Sequence, residues 1–336
     1  MEDLRTADWP GLHQYAPTQG RPDLLAAIAA RVSARSGLPV DVSNVLVTAS
    51  GTIGWSAIVA TIMDPGEEII VLSPNWPLVS GAIRACKGTP RQVPFMGVHD
   101  PETAIALVAP HLTERTVALY FNTPNNPSGA VLTRPILQAL VSWAAKNDLW
   151  VIADDVYEEL QYQGEHVPAR TLAPDRTISL HSFTKAYGMA GNRVGYIVGP
   201  SEIIAAVHKV TTHIFYSSPT AGQIAALRVL GPVGDDWVAA ARRTYWDVAQ
   251  RCASILGVSP PDGGAFLFLD VEDDLARNFS DSGLQGLMHR CAERRLYVTP
   301  GTSFGPFPTH IRVSFTSAPP EVVERGVRIL AEVLGR

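Results

Sequence analysis

Short segments that are almost continuously apolar recur along the first part of the chain and constrain its fold more than any other feature. They are Val45–Thr48, Glu68–Leu72, Val117–Phe121, Leu149–Ala153, Thr177–His181 and Val194–Val198. Strands have this composition when both faces of their sheet are covered. Helical patterns lie between them, such as Pro135–Lys146, whose apolar residues fall on one face. The alternation predicts an α/β fold with a mostly parallel sheet and helices on both faces.

The pattern changes after about residue 235. A long helical pattern over Asp236–Leu256 leads to a strand at Ala265–Val271. A helix, a short strand, another strand and a final amphipathic helix from Pro319 follow. We therefore expect a large domain over residues 15–235 and a smaller α+β domain over residues 236–336, joined by residues 1–14.

Composition excludes several classes of protein. The 336 residues are 46% apolar, enough for a large core, and the net charge of −5 comes without a basic stripe, so no nucleic acid partner is expected. No apolar run approaches the ~20 residues that span a bilayer, and no signal peptide is evident, so we expect a cytoplasmic protein. Cys86, Cys252 and Cys291 fit no disulfide framework or metal-ligand spacing, and no metal is expected.

Polar and glycine-rich clusters directly follow four of the predicted strands. They are Ser50-Gly51-Thr52, Asn122–Gly129, Asp154-Asp155 and Ser182–Lys185. Ligands of parallel sheets bind at the carboxyl ends of the strands. The sequence therefore predicts that these clusters meet in one site.

Lys185 ends the tetrapeptide Ser182-Phe183-Thr184-Lys185, directly after a predicted buried strand. Burial lowers the pKa of an amine, which favours Schiff-base chemistry, whereas a lone surface lysine would need no such role. Ser-x-x-Lys is also the nucleophile motif of β-lactamases and penicillin-binding proteins. Those enzymes need Ser-Asp-Asn and Lys-Thr-Gly as well, and this sequence has neither, which disfavours a serine hydrolase.

Further motifs appear in a fixed order around the lysine. Asn122–Gly129 reads Asn-Thr-Pro-Asn-Asn-Pro-Ser-Gly, Asp154–Tyr157 reads Asp-Asp-Val-Tyr, and Gly191–Gly195 reads Gly-Asn-Arg-Val-Gly. Asp154 lies 28 residues after Asn126 and 31 before Lys185. From about Tyr15 to its C-terminus, the chain resembles the class I/II aminotransferases, which are pyridoxal-phosphate (PLP) enzymes of fold type I.

The resemblance implies a PLP cofactor and a role for each matched residue. Lys185 would hold the cofactor as a Schiff base and move the substrate proton, and Asp154 would keep the pyridine nitrogen protonated. Asn126 and Tyr157 would donate hydrogen bonds to the phenolic oxygen of the ring. Asp155 aligns with a variable acidic position and is expected to be a helix cap or a surface residue.

The resemblance also implies how the rest of the cofactor is held. Ser50, Gly51 and Thr52 would bind the phosphate at a helix N-terminus, together with Ser182 and Arg193. Trp76, in Pro74-Asn75-Trp76-Pro77, would stack on the ring. Tyr15 would reach the phosphate of a neighbouring subunit, which implies a homodimer with shared active sites. Each residue alone has an ordinary alternative role, as a helix cap, a packing aromatic or a surface charge.

Arg312 lies in the alternating segment His310–Phe315, which resembles the family strand whose arginine binds the substrate α-carboxylate beside Asn126. Dicarboxylate-specific members place an arginine in the segment that corresponds to Tyr216–Gln223, where this chain has Gln223. We therefore expect transfer of an amino group from an L-amino acid, not a dicarboxylate-specific one, to a 2-keto acid. A C–S lyase, a cyclase or an oxygen-using amino acid oxidase could use the same residues.

Overall fold

The computed structural model describes residues 11–336. Most of the predicted joining segment, residues 1–10, lies outside the described residues. Within residues 11–336 the strands form a seven-stranded sheet, here called the central sheet, and a three-stranded sheet, here called the small sheet.

The central sheet confirms all six strands expected from the sequence, to within two residues at each end. Its strands are β1 (Val45–Thr48), β2 (Glu68–Ser73), β3 (Thr89–Pro94), β4 (Thr116–Asn122), β5 (Trp150–Asp154), β6 (Thr177–Ser182) and β7 (Gly195–Val198). They lie in the order β1-β7-β6-β5-β4-β2-β3, and β7 runs antiparallel to both its neighbours. The sequence did not reveal β3, because Val93 is the one fully buried residue of this edge strand and the strand contains Pro90 and Pro94.

Helices cover both faces of the central sheet, as expected. They are α1 (Pro22–Ser36), α2 (Gly51–Ile62), α3 (Pro77–Ala85), α4 (Pro101–Val108), α5 (Arg134–Lys146), α6 (Ser201–Ile214) and α7 (Thr220–Val229). Helices α2, α3 and α6 share one core with the sheet, and α4 and α5 share another with its opposite face. Two separate apolar layers therefore enclose the strands, which explains why those strands are apolar throughout.

The small sheet lies in the last hundred residues and has its own apolar core. Its strands β8 (Phe266–Asp270), β9 (Thr299–Pro300) and β10 (His310–Ser314) pair antiparallel in the order β8-β10-β9. Helices α8 (Pro232–Leu256), α9 (Glu272–Asn278), α10 (Gly283–Glu293) and α11 (Pro320–Leu334) accompany it. This smaller α+β part confirms the predicted fold class, whereas the domain boundary near residue 235 stays a prediction, since α8 runs across it.

The parallel strands of the central sheet bring the predicted clusters to one edge. In the register, Asn122 on β4 lies beside Asp154 on β5, and Asp154 lies beside Leu180 on β6. Each strand therefore ends within two residues of its neighbour, and the polar residues that follow face the same space.

Candidate active site

A cavity of about 210 Å³ lies at the carboxyl edge of the central sheet. It is lined by Ser50, Gly51, Thr52, Trp55, Trp76, Val79, Asn122, Asn126, Asp154, Val156, Tyr157, Leu180, Ser182, Thr184, Lys185 and Arg193. The predicted site residues thus meet in one place, with the exception of Arg312, which lies beside the cavity, and Tyr15, which lies elsewhere.

The N-terminus of α2 forms one wall of the cavity. Ser50 caps this helix, and its Oγ accepts a hydrogen bond of 3.3 Å from the backbone N–H of Ile53. A Cβ atom at Gly195 would come within 2.7 Å of the Gly51 nitrogen, so only glycine lets β7 pass this close to the start of the helix. The free amides at Gly51 and Thr52 give this wall a preference for anions.

Ser182, at the end of β6, and Arg193, in the turn before β7, reach the same wall. Arg193 has a left-handed backbone (φ 53°), and its Nη1 donates a hydrogen bond of 2.9 Å to the carbonyl oxygen of Ala190. Ser182 accepts a hydrogen bond of 3.1 Å from the backbone N–H of Thr184 through its Oγ. A guanidinium, a hydroxyl and helix-end amides therefore converge on one anion-binding surface.

Lys185 extends into the cavity after the end of β6. Its Nζ lies 5.5 Å from the centroid of the Tyr157 ring. The side chain is exposed to the open cavity. Desolvation by the surrounding protein atoms nevertheless lowers the pKa of its amine. The Asp154 carboxylate opposes this shift. The net effect raises the fraction of neutral amine, which is the nucleophilic and proton-accepting form.

Asp154 is buried at the end of β5. Its Oδ2 accepts a hydrogen bond of 2.6 Å from the hydroxyl of Tyr120, and its Oδ1 accepts one of 3.3 Å from the backbone N–H of Val156. Burial raises the pKa of the carboxyl group to about 6, against the opposing effect of these hydrogen bonds. The carboxylate thus sits where a cationic partner would stabilise it strongly.

Asn122 connects the ends of β4 and β5 to the loop that carries Asn126. Its Nδ2 donates a hydrogen bond of 2.7 Å to the carbonyl oxygen of Asp154. Its Oδ1 accepts another of 2.7 Å from the backbone N–H of Asn126. These buried hydrogen bonds connect the backbone of Asp154 with that of Asn126 through one side chain.

Arg312 approaches the cavity from β10 of the small sheet. Its guanidinium carbon lies 4.2 Å from the centroid of the Phe266 ring and 4.8 Å from that of Phe304. Its Nη1 donates a hydrogen bond of 3.0 Å to Oδ1 of Asn126. The two rings and the amide hold the guanidinium between the sheets, and burial lowers the pKa of this group.

Tyr15 and Gln223 lie away from the cavity. Tyr15 is 84% exposed and packs edge-on against Tyr216, with ring centroids 5.1 Å apart. Gln223 is fully buried in α7, where its Oε1 accepts a hydrogen bond of 2.8 Å from the backbone N–H of Arg21. Gln223 thus packs inside α7 and does not line the cavity of its own chain.

The expectation that Asp155 is a cap or surface residue is wrong. Its side chain is 1% exposed, and its Oδ1 lies 3.6 Å from Nε2 of His166. Burial raises the pKa of this carboxyl well above its usual value. The two acidic residues at and directly after the end of β5 therefore both lie inside the protein, but Asp154 alone of the two lines the cavity.

Sequence reasoning missed several residues of the site. Trp55 lines the cavity because it lies one helical turn after Gly51 on α2, a spacing that could have revealed it. Thr184 also lines the cavity, but of the lysine tetrapeptide only Ser182 and Lys185 are predicted as site residues. Tyr120 does not line the cavity but contacts Asp154, and the signal for it in the apolar segment Val117–Phe121 is that a hydroxyl inside such a strand needs a hydrogen-bond partner.

The comparison with known families shows to which family the chain belongs. The family profile described as aminotransferase class I and II matches residues 2–330. The chain belongs to this family. Members of the aminotransferase class I and II family use PLP, and the chain is accordingly an amino-group transferase.

Relatives with different named substrates share this family. The chain is 33% identical to the aspartate/prephenate aminotransferase of Thermus thermophilus, over 100% of this chain and 87% of that protein. It is 34% identical to the arginine–pyruvate transaminase of Pseudomonas aeruginosa, over 97% and 84%. The crystal structure of an aromatic aminotransferase from Pyrococcus horikoshii superposes with a TM-score of 0.88 at 27% identity, over 99% of this chain and 90% of that one.

Two further properties of residues 11–336 concern membranes and metal ions. None of the helices in this range is long and apolar enough to cross a membrane. The same range contains no group of three or more histidine, cysteine, aspartate or glutamate side chains able to hold a metal ion.

Proposed function

We propose that this aminotransferase binds PLP in the cavity at the carboxyl edge of the central sheet and uses Lys185 as its reactive amine. The observation that carries the proposal is that one cavity brings together Lys185, the buried carboxylate of Asp154 and the N-terminus of α2. These groups match the aldehyde, the basic ring nitrogen and the phosphate of one cofactor. When bound, PLP supplies an aldehyde that condenses with amines and a ring that withdraws electrons from the substrate Cα.

The donors and charges around the cavity fit this cofactor. The amides of Gly51 and Thr52, with Ser50, Ser182 and Arg193, would hold the phosphate group. The Asp154 carboxylate would hold a proton on the ring nitrogen, and that cation would in turn offset the cost of burying the carboxylate. Trp76, which borders the cavity, would pack on the ring face.

Lys185 would move the proton in the reaction. Its depressed pKa leaves more of the amine neutral near pH 7, so Nζ can accept the proton from the substrate Cα and return it elsewhere. The Tyr157 hydroxyl and the Nδ2 group of Asn126 would donate to the phenolic oxygen of the cofactor. Nδ2 carries the two hydrogens of this amide and is its donor, and the hydrogen bond that Oδ1 accepts from Arg312 fixes which way the amide faces.

Arg312 would bind the α-carboxylate of the substrate. Its Nε is buried and has no hydrogen-bond partner among the described residues, so a carboxylate would satisfy it and complete a forked interaction. The flanking rings of Phe266 and Phe304 fix the plane of the guanidinium in advance. A fixed plane reduces the side-chain entropy lost when the substrate binds.

The cationic side chains that line or border the cavity, among the described residues, favour an amino-group donor whose own side chain is uncharged. Once Arg193 binds the phosphate, Lys185 reacts and Arg312 binds the α-carboxylate, the cavity residues within 11–336 leave no cation for a second carboxylate. We therefore propose an L-amino acid with an uncharged side chain as the preferred donor and a 2-keto acid as the acceptor.

We also propose a cytoplasmic homodimer in which Tyr15 contributes to the active site of the partner subunit. The exposed position of Tyr15 next to Tyr216 supports this role, because a single chain gives its ring little cover. Light scattering would give the molar mass, and Tyr15→Phe would weaken PLP binding in a dimer. A monomeric holoenzyme would overturn this part.

The experiment that tests the main proposal combines reconstitution with a donor screen. The purified protein is titrated with PLP while visible absorbance is recorded, and the twenty amino acids are then assayed with pyruvate or 2-oxoglutarate. We expect stoichiometric binding and keto acid formation that requires the acceptor. Absence of PLP binding would overturn the cofactor assignment, and a far higher specificity constant for aspartate than for neutral amino acids would overturn the substrate assignment.

A further inference from the structure

We propose that Tyr120 is a positioning residue that orients Asp154 and sets the proton affinity of its carboxylate. The inference deepens the proposed function and rests on it for the role of Asp154 toward the cofactor. Tyr120 does not line the cavity and would act only through Asp154.

The sheet register places the two side chains together. Tyr120 on β4 pairs with Ile152 on β5, and Asp154 follows Ile152 by two residues. Side chains two residues apart on a strand share a face, so Tyr120 and Asp154 both project to the face covered by α2 and α3. They are diagonal neighbours on adjacent strands, within reach of a long aromatic side chain.

The hydrogen bond between them is short and charge-assisted. The Tyr120 hydroxyl donates to Oδ2 of Asp154 over 2.6 Å, the distance expected when the acceptor is ionised. A donor of this kind stabilises the carboxylate and opposes the effect of burial, which raises the carboxyl pKa. Asp154 can then remain ionised while buried and aimed into the cavity.

The surroundings keep this bond away from water. Tyr120 is 1% exposed, and the centroid of its ring lies 4.8 Å from that of Trp55, which lines the cavity. In such a site the phenol keeps its proton, because burial and the nearby carboxylate raise the pKa of Tyr120 well above its usual value. Tyr120 is therefore a permanent donor, and the carboxylate is the partner whose charge changes.

Other ionisable groups also face Asp154 and would contribute to its titration. They are His181 on β6, Lys185 after it, Asp155 next in the chain and Tyr157 in the following turn. Within residues 11–336, Tyr120 donates a side-chain hydrogen bond to the Asp154 carboxylate, whereas these four groups do not. Removing the Tyr120 hydroxyl should therefore change the Asp154 titration while leaving these charges in place.

The test is a titration of Asp154 in the cofactor-free protein. Carbon-13 NMR of protein labelled at the aspartate carboxyl groups, with the Asp154 signal assigned by its loss in Asp154→Asn, gives the midpoint directly. Tyr120→Phe is expected to raise this midpoint by about one pH unit or more, the size of a hydrogen bond to a charged group. An unchanged midpoint would show that Tyr120 only fills space.

A matched control separates this effect from the loss of any tyrosine hydroxyl. Tyr162 donates a hydrogen bond of the same 2.6 Å length, but to the backbone carbonyl of Gly264. Tyr162→Phe is expected to leave the Asp154 midpoint unchanged, and an equal shift in both variants would overturn the proposal. If Tyr120→Phe does not fold, replacement of Tyr120 by 3-fluorotyrosine keeps the shape and strengthens the donor, so the midpoint should fall.

A separate measurement distinguishes this inference from the proposed function. Asp154→Asn is expected to weaken PLP binding at least about tenfold, because an amide cannot keep the ring nitrogen protonated. If Asp154→Asn binds PLP as the wild type does while Tyr120→Phe still shifts the midpoint, the assignment of Asp154 to the cofactor is wrong and the Tyr120 inference stands.

Discussion

The central sheet and the small sheet supply the site in different ways. The central sheet contributes residues at or just beyond the ends of buried parallel strands, such as Asp154 at the end of β5 and Lys185 after β6. The small sheet contributes Arg312 from the middle of β10, an antiparallel strand in which buried and partly exposed residues alternate. One region thus offers strand ends and the other offers one face of a strand.

This difference indicates which region serves the chemical step and which region serves substrate binding. Residues at the strand ends lie in a layer enclosed by helices on both faces, where burial shifts the pKa values of Asp154 and Lys185. Arg312 lies on a half-covered sheet, between aromatic rings, where geometry matters more than proton affinity. We therefore expect changes in the central sheet to affect the chemical step and changes in the small sheet to affect substrate binding.

The largest expected effect is that of Lys185→Ala. Loss of the reactive amine should lower kcat by about a thousandfold or more, because both covalent attachment and proton transfer are removed. Stopped-flow absorbance with a good donor would measure the remaining rate. Lys146→Ala, at the exposed end of α5, is the control and should be as active as the wild type. A Lys185→Ala variant with comparable kcat would place the chemistry elsewhere.

Arg312→Lys should mainly impair substrate binding. A lysine keeps the charge but lacks the planar fork, so we expect kcat/KM to fall by about a hundredfold, mostly through KM. Steady-state kinetics with a saturating acceptor would separate the two constants. The exposed Arg328→Lys on α11 is the matched substitution and should behave like the wild type. A fall in kcat alone would contradict the division between the two sheets.

Asp154→Asn should change how the stability of the cofactor-free protein depends on pH. The folded-state pKa of Asp154 is raised from 3.8 to about 6, so its contribution to stability is present below pH 3.8 and is lost as pH rises through about 6. The Asp154→Asn variant has no carboxyl group at this position, so its stability does not fall in this way. Between about pH 4.5 and about pH 7.5, its free energy of unfolding should therefore rise relative to the wild type by roughly 2 kcal/mol. Urea denaturation at both pH values would measure this, and parallel pH profiles would refute it.

The smallest expected effect lies at the contact between the two regions. Trp237 on α8 donates a hydrogen bond of 3.1 Å from Nε1 to the carbonyl oxygen of Ala186, the residue after Lys185. Trp237→Phe should lower kcat by about twofold to fivefold, because one neutral hydrogen bond that holds the lysine loop is lost. Trp246→Phe on the same helix, away from the loop, is the control. Equal kinetics for both variants would mean that α8 does not position Lys185.

Much of the fold could be predicted from local pattern. The strands that end at Asn122, Asp154 and Ser182 were recognisable because a strand buried on both faces is apolar throughout. The edge strand β3 was not recognisable, because an exposed edge tolerates proline and polar residues. Local pattern fails where the neighbours of a segment, and not its own residues, decide that it pairs.

The sequence by itself determined the order of the motifs and thereby the family, the parallel sheet and the set of groups at its carboxyl edge. Only the tertiary structure decided what surrounds each group. In the folded chain, Asp155 is buried beside His166, Gln223 lies in α7 away from the cavity, and Tyr120 donates a hydrogen bond to Asp154. The physical reason is that proton affinity and hydrogen bonding depend on burial and on partners far apart in the chain, which no local pattern specifies.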